Sequence, residues 1–313
     1  MSAAGIEERI RRVADDAMDL SGQRQAARQI QDLISSAPPS ASLIEELAAA
    51  YERLNGGDHA LVAVRSSANA EDLKDASFAG AQETYLGLSG MEAVLSGVIA
   101  CWASLFTPRA IAYRGRFGHQ DHLAMGVVVQ ELVAAQAAGV LCTVDPVTGD
   151  RSQIAIEATP GLGVALVGGE VTPDRFLVDK VTLDIRDREV GVKTIAYRLD
   201  ADGRVRARGL PAEERGAPCI RDLEAIALAE AGLRIERELG SPQDVEWALG
   251  PGPVGPRTLF LLQTRPETVW SRRPPRAFGG SADVTQRVAQ TFSTTIPLDR
   301  WARGSAEAPD RET

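Results

Sequence analysis

The sequence has few cysteines and no long apolar run. Cys101, Cys142 and Cys219 lie far apart and form no CxxC pair, so neither a disulfide framework nor a zinc site is expected. No stretch approaches the roughly 18 consecutive apolar residues of a membrane span, and the N-terminus lacks the basic-then-apolar layout of a signal peptide. These absences predict a globular cytoplasmic protein.

Lysine is scarce, although basic residues as a class are not. Only Lys74, Lys180 and Lys193 are lysine among the 34 basic residues of the 313-residue chain, so few lysines can bind phosphate. Acidic residues number 43, and the formal net charge is -9. Nucleic acids and anionic membranes repel an acidic protein unless a basic patch intervenes, so neither is expected as a partner.

Common nucleotide and metal signatures are also missing. The pair Gly161 and Gly163 does not extend to GxGxxG, and no GxxxxGK[ST] segment occurs, which excludes a Rossmann fingerprint and a P-loop. The three histidines, His59, His119 and His122, form no HExxH pair. None of these common nucleotide or metal sites is therefore expected.

Helical and strand patterns are mixed without a regular βαβ alternation, which predicts an α+β protein. Apolar residues recur at helical spacing in the first 55 residues, and two capping boxes, Ser42 with Glu45 and Ser89 with Glu92, predict helix starts. A helix over 223–239 is expected to end at Gly240. Strands are predicted at 60–64, 125–129, 140–143, 154–157 and 176–178, and on both sides of 250–256.

The most informative polar pattern lies on the last two predicted strands. Strand side chains alternate faces, so Asp244 and Glu246 share one face, as do Gln263 and Arg265. Paired as a hairpin, these strands would bring two carboxylates, an amide oxygen and a guanidinium together, a set suited to Mg²⁺ and phosphate. The alternative is an exposed polar strand face with a surface ion pair.

A second segment places Arg65 at the end of a strand, before small hydroxyl residues and a turn that contains Gly80. Arg65, backbone N–H groups of this turn and the Thr84 hydroxyl form a candidate phosphate site. An ordinary surface loop has the same composition.

A third segment is an apolar strand that runs into Gln130, Glu131 and Leu132. Backbone donors and acceptors at such a strand end can bind the edge of an adenine ring. A central strand that merely reaches solvent at Gln130 is the alternative.

Together and in this order, the segments resemble the N-terminal nucleotide-binding domain of the phosphoenolpyruvate synthase and pyruvate phosphate dikinase family, which includes rifampicin phosphotransferase. The resemblance covers roughly residues 30–270. The matching stretches are VAVRSSANAEDLKDASFAGAQETYLGL, CWASLFTPRAIAYR, GVVVQELV, GVLCTVDPVTGD, IEATPGLG, VTPDRFLVDK, DVEWAL and LLQTRPET.

The resemblance implies an ATP-grasp fold, in which two α+β subdomains clasp ATP. The implied roles are phosphate contact by Arg65, phosphate cover by Gly80 and Thr84, an adenine-side hinge of Gln130, Glu131 and Leu132, Mg²⁺ ligation by Asp244, Glu246 and Gln263, and stabilisation of the transferring phosphoryl group by Arg265. The implied division is an N-terminal helical segment (1–58), a first subdomain (59–124), a second subdomain (125–270) and a tail or linker (271–313).

The resemblance also implies a function, an ATP-dependent, dikinase-like phosphotransferase. Members of the family pass phosphate from ATP to a histidine in a TSHA-like motif and then to a small-molecule acceptor. The sequence contains no such motif, so we expect a separate partner protein to carry the histidine and the acceptor-binding domain.

Two alternative functions stay open. The family's GGKGA-like lysine segment has no counterpart in the sequence, and Ala81 and Val164 stand where the family has Gln and Glu. These departures favour a nucleotide-binding or regulatory module without turnover. The wider ATP-grasp class also includes carboxylate ligases, which form an acylphosphate and release ADP.

Overall fold

The computed structural model describes residues 8–10, 12–13, 20–54, 57–68, 84–108, 111, 125–251 and 257–271. Contacts divide the chain into a unit Met1–Glu267 and a unit Thr268–Thr313. The helices are α1 (Leu20–Ser36), α2 (Ala41–Tyr51), α3 (Met91–Ser104), α4 (Val164–Val167), α5 (Ala212–Arg215) and α6 (Asp222–Leu239). The strands are β1 (Val62–Ala68), β2 (Thr84–Leu88), β3 (Met125–Glu131), β4 (Ala137–Cys142), β5 (Gln153–Pro160), β6 (Asp174–Asp179), β7 (Ile185–Glu189), β8 (Ile195–Leu199), β9 (Val205–Gly209), β10 (Gln243–Gly250) and β11 (Thr258–Pro266).

The first sheet has three antiparallel strands in the order β2-β1-β3. Along β1 the side chains alternate, so Val62 and Val64 are buried against helix α3, which contributes Val94 and Val98 to the same cluster. Arg65 lies on the opposite face of β1 from Val64 and is only half-buried. One face of this sheet therefore forms a core, and the other carries Arg65.

The second sheet has six antiparallel strands in the order β11-β10-β4-β5-β6-β7. Its core face packs against helix α6, and the cluster includes Leu228 of α6 with Ile156, Phe176 and Trp247 of the sheet. Burial of these large apolar side chains stabilises this layer. The opposite face carries the polar residues of β10.

A third, two-stranded sheet is formed by β8 and β9. It is attached to the loop after β5, because Leu162 N donates to Tyr197 O at 2.8 Å. Gly161 has a φ of +75°, and a Cβ there would lie 2.2 Å from Tyr197 O, so only glycine fits this position. The loop therefore depends on the hairpin for its conformation.

Most elements predicted from the sequence are confirmed, and some boundaries are wrong. Helix α6 ends at Gly240, which has a φ of +71°. Helix α2 is capped by Ser40, whose Oγ accepts from Leu43 N at 3.2 Å, so the predicted box at Ser42 is two residues late. Helix α3 follows Gly90, without a side-chain cap from Ser89. The α+β class is confirmed.

The predicted domain boundaries stay a proposal. Strand β3, assigned to the second subdomain, pairs with β1 along its whole length. The predicted tail, 271–313, lies almost wholly outside the described residues. Within the described part of the chain, no helix is long and apolar enough to cross a membrane.

The first turn of α6 contains a buried carboxylate held by two arginines. Glu224 accepts from Arg257 Nε at 2.9 Å, from Arg221 N at 2.8 Å and from Arg221 Nη2 at 2.9 Å. Burial alone would raise the pKa of Glu224, but these hydrogen bonds outweigh it and lower the pKa to about 2. The folded state therefore stabilises the ionised carboxylate of Glu224 relative to the unfolded chain.

We expect Glu224 to stabilise the protein above its unfolded pKa of 4.5, and this contribution to disappear as the pH falls towards 2. Urea unfolding at pH 6, 4 and 3 should show the wild type losing roughly 2 kcal/mol more than Glu224→Gln over this range. Glu213→Gln, at an exposed position of α5, should lose as much unfolding free energy over this pH range as the wild type. Parallel pH profiles for the wild type and Glu224→Gln would contradict the assignment.

Candidate functional site

The hairpin of β10 and β11 has the register that the sequence pattern required. Asp244 is the Cα partner of Arg265, and Glu246 is the partner of Gln263. Asp244 and Glu246 alternate with Val245 and Trp247, which are buried in the core, so both carboxylates lie on the opposite face. The hairpin prediction is confirmed.

The two carboxylates of this hairpin have different neighbours. Asp244 lies opposite Cys142 on β4, and its Oδ2 is 3.8 Å from Arg265 Nε at the edge of the sheet. Burial raises the pKa of Asp244, while the Cys142 thiol and Arg265 oppose this shift. Burial likewise raises the pKa of the Cys142 thiol. Asp244 is therefore a carboxylate in a partly desolvated position, with one exposed cation nearby.

Glu246 is bound by an arginine from the other sheet. Arg65 Nη2 donates to Glu246 Oε2 and, at 2.6 Å, to Gln263 Oε1. The side chains of Arg65 and Glu246 are 17% and 34% exposed, so solvent screens this pair less than a surface pair. These contacts place Arg65 of the second predicted segment in the same site as Glu246 and Gln263 of the first.

Glu157 shares this sheet face and was not singled out from the sequence. It is the Cα partner of Val140, which in turn is the partner of Glu246, so the three lie in one row across the sheet. Its neighbour Ile156 faces the core, whereas Glu157 is half-buried. A charged residue within the apolar run of β5 is the signal that could have identified it.

The predicted adenine hinge lies at the end of β3, close to β11. Gln130 Nε2 donates to Leu262 O at 3.4 Å. Leu132 N donates to Leu61 O at 2.8 Å, so this amide is committed to the first sheet. Because backbone groups alternate along an antiparallel strand, those of Glu131 point away from β1. The adenine role of Gln130, Glu131 and Leu132 stays a prediction.

The predicted phosphate cover is only partly within the described residues. Thr84 begins β2 as an exposed residue and is the Cα partner of Arg65, so it lies in the strand next to Arg65. Gly80 lies outside the described residues. Both roles stay predictions.

Two of the three lysines are committed to internal ion pairs. Lys180 Nζ donates to Glu236 Oε2 at 2.6 Å, and Lys193 is fully buried with Asp174. Lys74 lies outside the described residues. In the described part of the chain, the cations placed beside Asp244 and Glu246 are therefore arginines, Arg265 and Arg65.

The chemistry of the site fits a divalent cation that arrives with phosphates. Within the described ranges, no three His, Cys, Asp or Glu side chains form a metal cluster. Asp244, Glu246 and Gln263 supply two carboxylates and one amide oxygen on a common face. Such a partial set of oxygen ligands suits Mg²⁺, which usually keeps waters and binds substrate phosphates as well.

Comparisons with known proteins identify a nucleotide-binding family. The family model for the pyruvate phosphate dikinase AMP/ATP-binding domain matches residues 1–281. A probable phosphoenolpyruvate synthase of Methanocaldococcus jannaschii is 38% identical over 91% of this chain and 24% of its own length. One from Methanothermobacter thermautotrophicus is 44% identical over 81% of this chain and 36% of its own length.

A rifampicin phosphotransferase of a Streptomyces species is also similar, with 42% identity over 86% of this chain and 30% of its own length. The chain thus spans between about a quarter and a little over a third of the length of these curated relatives.

Proposed function

Because this chain belongs to the pyruvate phosphate dikinase AMP/ATP-binding domain family, we propose that it binds Mg-ATP and begins phosphoryl transfer from it. The ATP-grasp fold expected from the sequence is consistent with this family and with the α+β class of the structure. The observation that carries the proposal is the convergence of Arg65 from the first sheet with Asp244, Glu246, Gln263 and Arg265 from the second.

In this proposal the side chains form a metal-binding set and two arginines that act on the phosphates. Asp244, Glu246 and Gln263 hold Mg²⁺, which when bound neutralises phosphate charge. Arg65, at the junction of the two sheets, binds phosphate oxygens, for which a guanidinium is well suited. Arg265 is 57% exposed and 3.8 Å from its carboxylate, so it is free to turn towards the transferring phosphoryl group.

The remaining roles follow the segments predicted from the sequence. Gly80 and Thr84 cover the phosphates, and Gln130, Glu131 and Leu132 bind the adenine edge. Support for the hinge comes from Gln130, which links β3 to β11 beside the proposed metal ligands. The nucleotide would then lie across the junction of the two sheets.

The second part of the proposal concerns the acceptor. We propose that the phosphate passes to a histidine carried by a separate partner protein and then to a small molecule. Relatives named phosphoenolpyruvate synthase and rifampicin phosphotransferase support a phosphotransferase role. Their different names leave the acceptor of this chain unassigned. The cytoplasmic location stays a prediction.

The test is to incubate the chain with Mg-ATP labelled at the β- or γ-phosphate, with and without a histidine-bearing domain from a phosphoenolpyruvate synthase relative. The expected result is AMP formation, with one of the two released phosphoryl groups as acid-labile label on the added domain and the other transferred to water as inorganic phosphate. ADP release that requires a carboxylate and an amine would instead identify a ligase. Nucleotide binding without turnover under every condition would identify a regulatory module.

A further inference from the structure

The guanidinium of Arg65 is hydrogen-bonded to two of the three side chains proposed to hold the metal. A single nitrogen, Nη2, donates both to Glu246 Oε2 and to Gln263 Oε1. These oxygens come from paired positions on β10 and β11, whereas Arg65 belongs to the other sheet. The chain therefore presents its own cation to the oxygens that a divalent ion would need.

The contact has an energetic consequence for metal binding. Hydrogen bonds to charged groups are stronger than neutral ones, and the low exposure of Arg65 and Glu246 limits solvent screening. A divalent ion that binds by itself must displace these hydrogen bonds or lie beside a positive charge. Both routes weaken the affinity of the protein for the metal alone.

ATP changes this balance because it offers the guanidinium other partners. Phosphate oxygens carry negative charge and accept hydrogen bonds from arginine in a favourable geometry. If Arg65 turns to a phosphate, Glu246 Oε2 and Gln263 Oε1 lose their donor. Those oxygens are then available to a cation that arrives with the same nucleotide.

We propose that Arg65 exchanges partners when Mg-ATP binds, leaving Glu246 and Gln263 for the metal and taking phosphate oxygens in return. This inference rests on the proposed function and adds a regulation to the same site. It makes the preformed metal–nucleotide complex the preferred ligand, because the metal and the phosphates each remove the other's obstacle. Linkage then requires that metal and nucleotide raise each other's affinity.

Arg265 provides a matched comparison within the site. It is also a guanidinium next to a proposed metal ligand, but its Nε lies 3.8 Å from Asp244 Oδ2 and its side chain is 57% exposed. Such an exposed pair contributes little. Removing Arg265 subtracts the same charge as removing Arg65 without releasing the oxygens of Glu246 and Gln263.

The experiment uses Mn²⁺ as a spectroscopic probe for the metal. Free Mn²⁺ is titrated by electron paramagnetic resonance into the whole chain, without nucleotide, for the wild type, Arg65→Met and Arg265→Met. We expect Arg65→Met to bind Mn²⁺ alone about tenfold more tightly than the wild type. In calorimetry the same variant should bind Mn-ATP about tenfold less tightly. Arg265→Met should change the Mn²⁺ affinity less than about threefold.

Two further variants make the result decisive. The gain must disappear in Arg65→Met/Glu246→Gln, since it depends on the released carboxylate. If Arg65→Met does not fold, Arg65→Lys replaces it. Its ammonium is a point charge without the planar fork of arginine, so a gain of about threefold in Mn²⁺ affinity is expected.

Either of two outcomes would overturn the exchange. Unchanged or weaker Mn²⁺ binding by the folded Arg65 variant would mean that Arg65 and the metal do not compete. Equal gains for Arg65→Met and Arg265→Met would mean that only net charge matters. Failure of the wild type to bind Mn-ATP would reject the proposed function and the exchange with it, whereas the Mn²⁺ titrations would still decide whether Arg65 and the metal compete for Glu246 and Gln263.

Discussion

Replacing Asp244 by Asn and Glu246 by Gln in one chain is expected to weaken Mg-ATP binding by at least about a hundredfold. The double change preserves side-chain size but removes both negative ligands from the face shared by β10 and β11. A hard divalent ion binds neutral amides far less well than carboxylates. Calorimetric titration of Mg-ATP into both proteins measures the loss directly.

The control for this prediction removes the same charges elsewhere on the same sheet. Asp187→Asn/Glu189→Gln alters two exposed residues of β7, at the edge opposite to β11. It should bind Mg-ATP as the wild type does. In excess chelator, wild-type ATP affinity should fall towards that of the Asp244/Glu246 variant. Retention of Mg-ATP binding within threefold by that variant would place the metal ligands elsewhere.

Replacing Lys193 by Met should lower the free energy of unfolding by about 3–5 kcal/mol. The side chains of Lys193 and Asp174 are 0% exposed. Lys193 Nζ also donates to Ala217 O at 2.9 Å, and Asp174 accepts from Cys219 N at 2.7 Å and Gly191 N at 3.1 Å. Without Lys193, the Asp174 carboxylate remains buried without its cation, which is the source of the loss.

Urea unfolding of matched variants tests this interpretation. Lys180→Met removes a lysine whose pair with Glu236 is less buried, and it should cost only about 1 kcal/mol. Asp174→Asn/Lys193→Met removes both charges and should recover part of the stability lost in Lys193→Met. A loss under 1 kcal/mol for Lys193→Met, or no recovery in the double variant, would contradict the role assigned to the pair.

Some features were missed because local patterns compete. Ser40 and Ser42 are both suitable N-cap residues for helix α2. The structure shows that Ser40 is the cap, because its Oγ accepts a hydrogen bond from Leu43 N. Thr84 was predicted only as a hydroxyl near the turn of Gly80, and its pairing with Arg65 places it in β2. Strand β7 reads Ile-Arg-Asp-Arg-Glu and carries exposed charged residues, for example Arg188, so it lacks the apolar alternation that identifies a strand.

By itself, the sequence determined those parts of the site that depend on local geometry. Side chains alternate along any strand, so Asp244 and Glu246 had to share a face, and so did Gln263 and Arg265. The short loop between the two runs made an antiparallel hairpin the natural pairing. The same reasoning located the end of helix α6 at Gly240, where a left-handed residue is needed.

Only the tertiary structure decided which distant groups meet. Arg65 is 181 residues from Glu246 along the chain, and no periodic pattern relates the register of β1 to that of β10. Their contact depends on how the two sheets pack. The position of Glu157 in the row of Glu246 depends on the strand order and register within the six-stranded sheet. Packing depends on the burial of many apolar residues throughout the chain, so the sequence around Arg65 does not identify its partner.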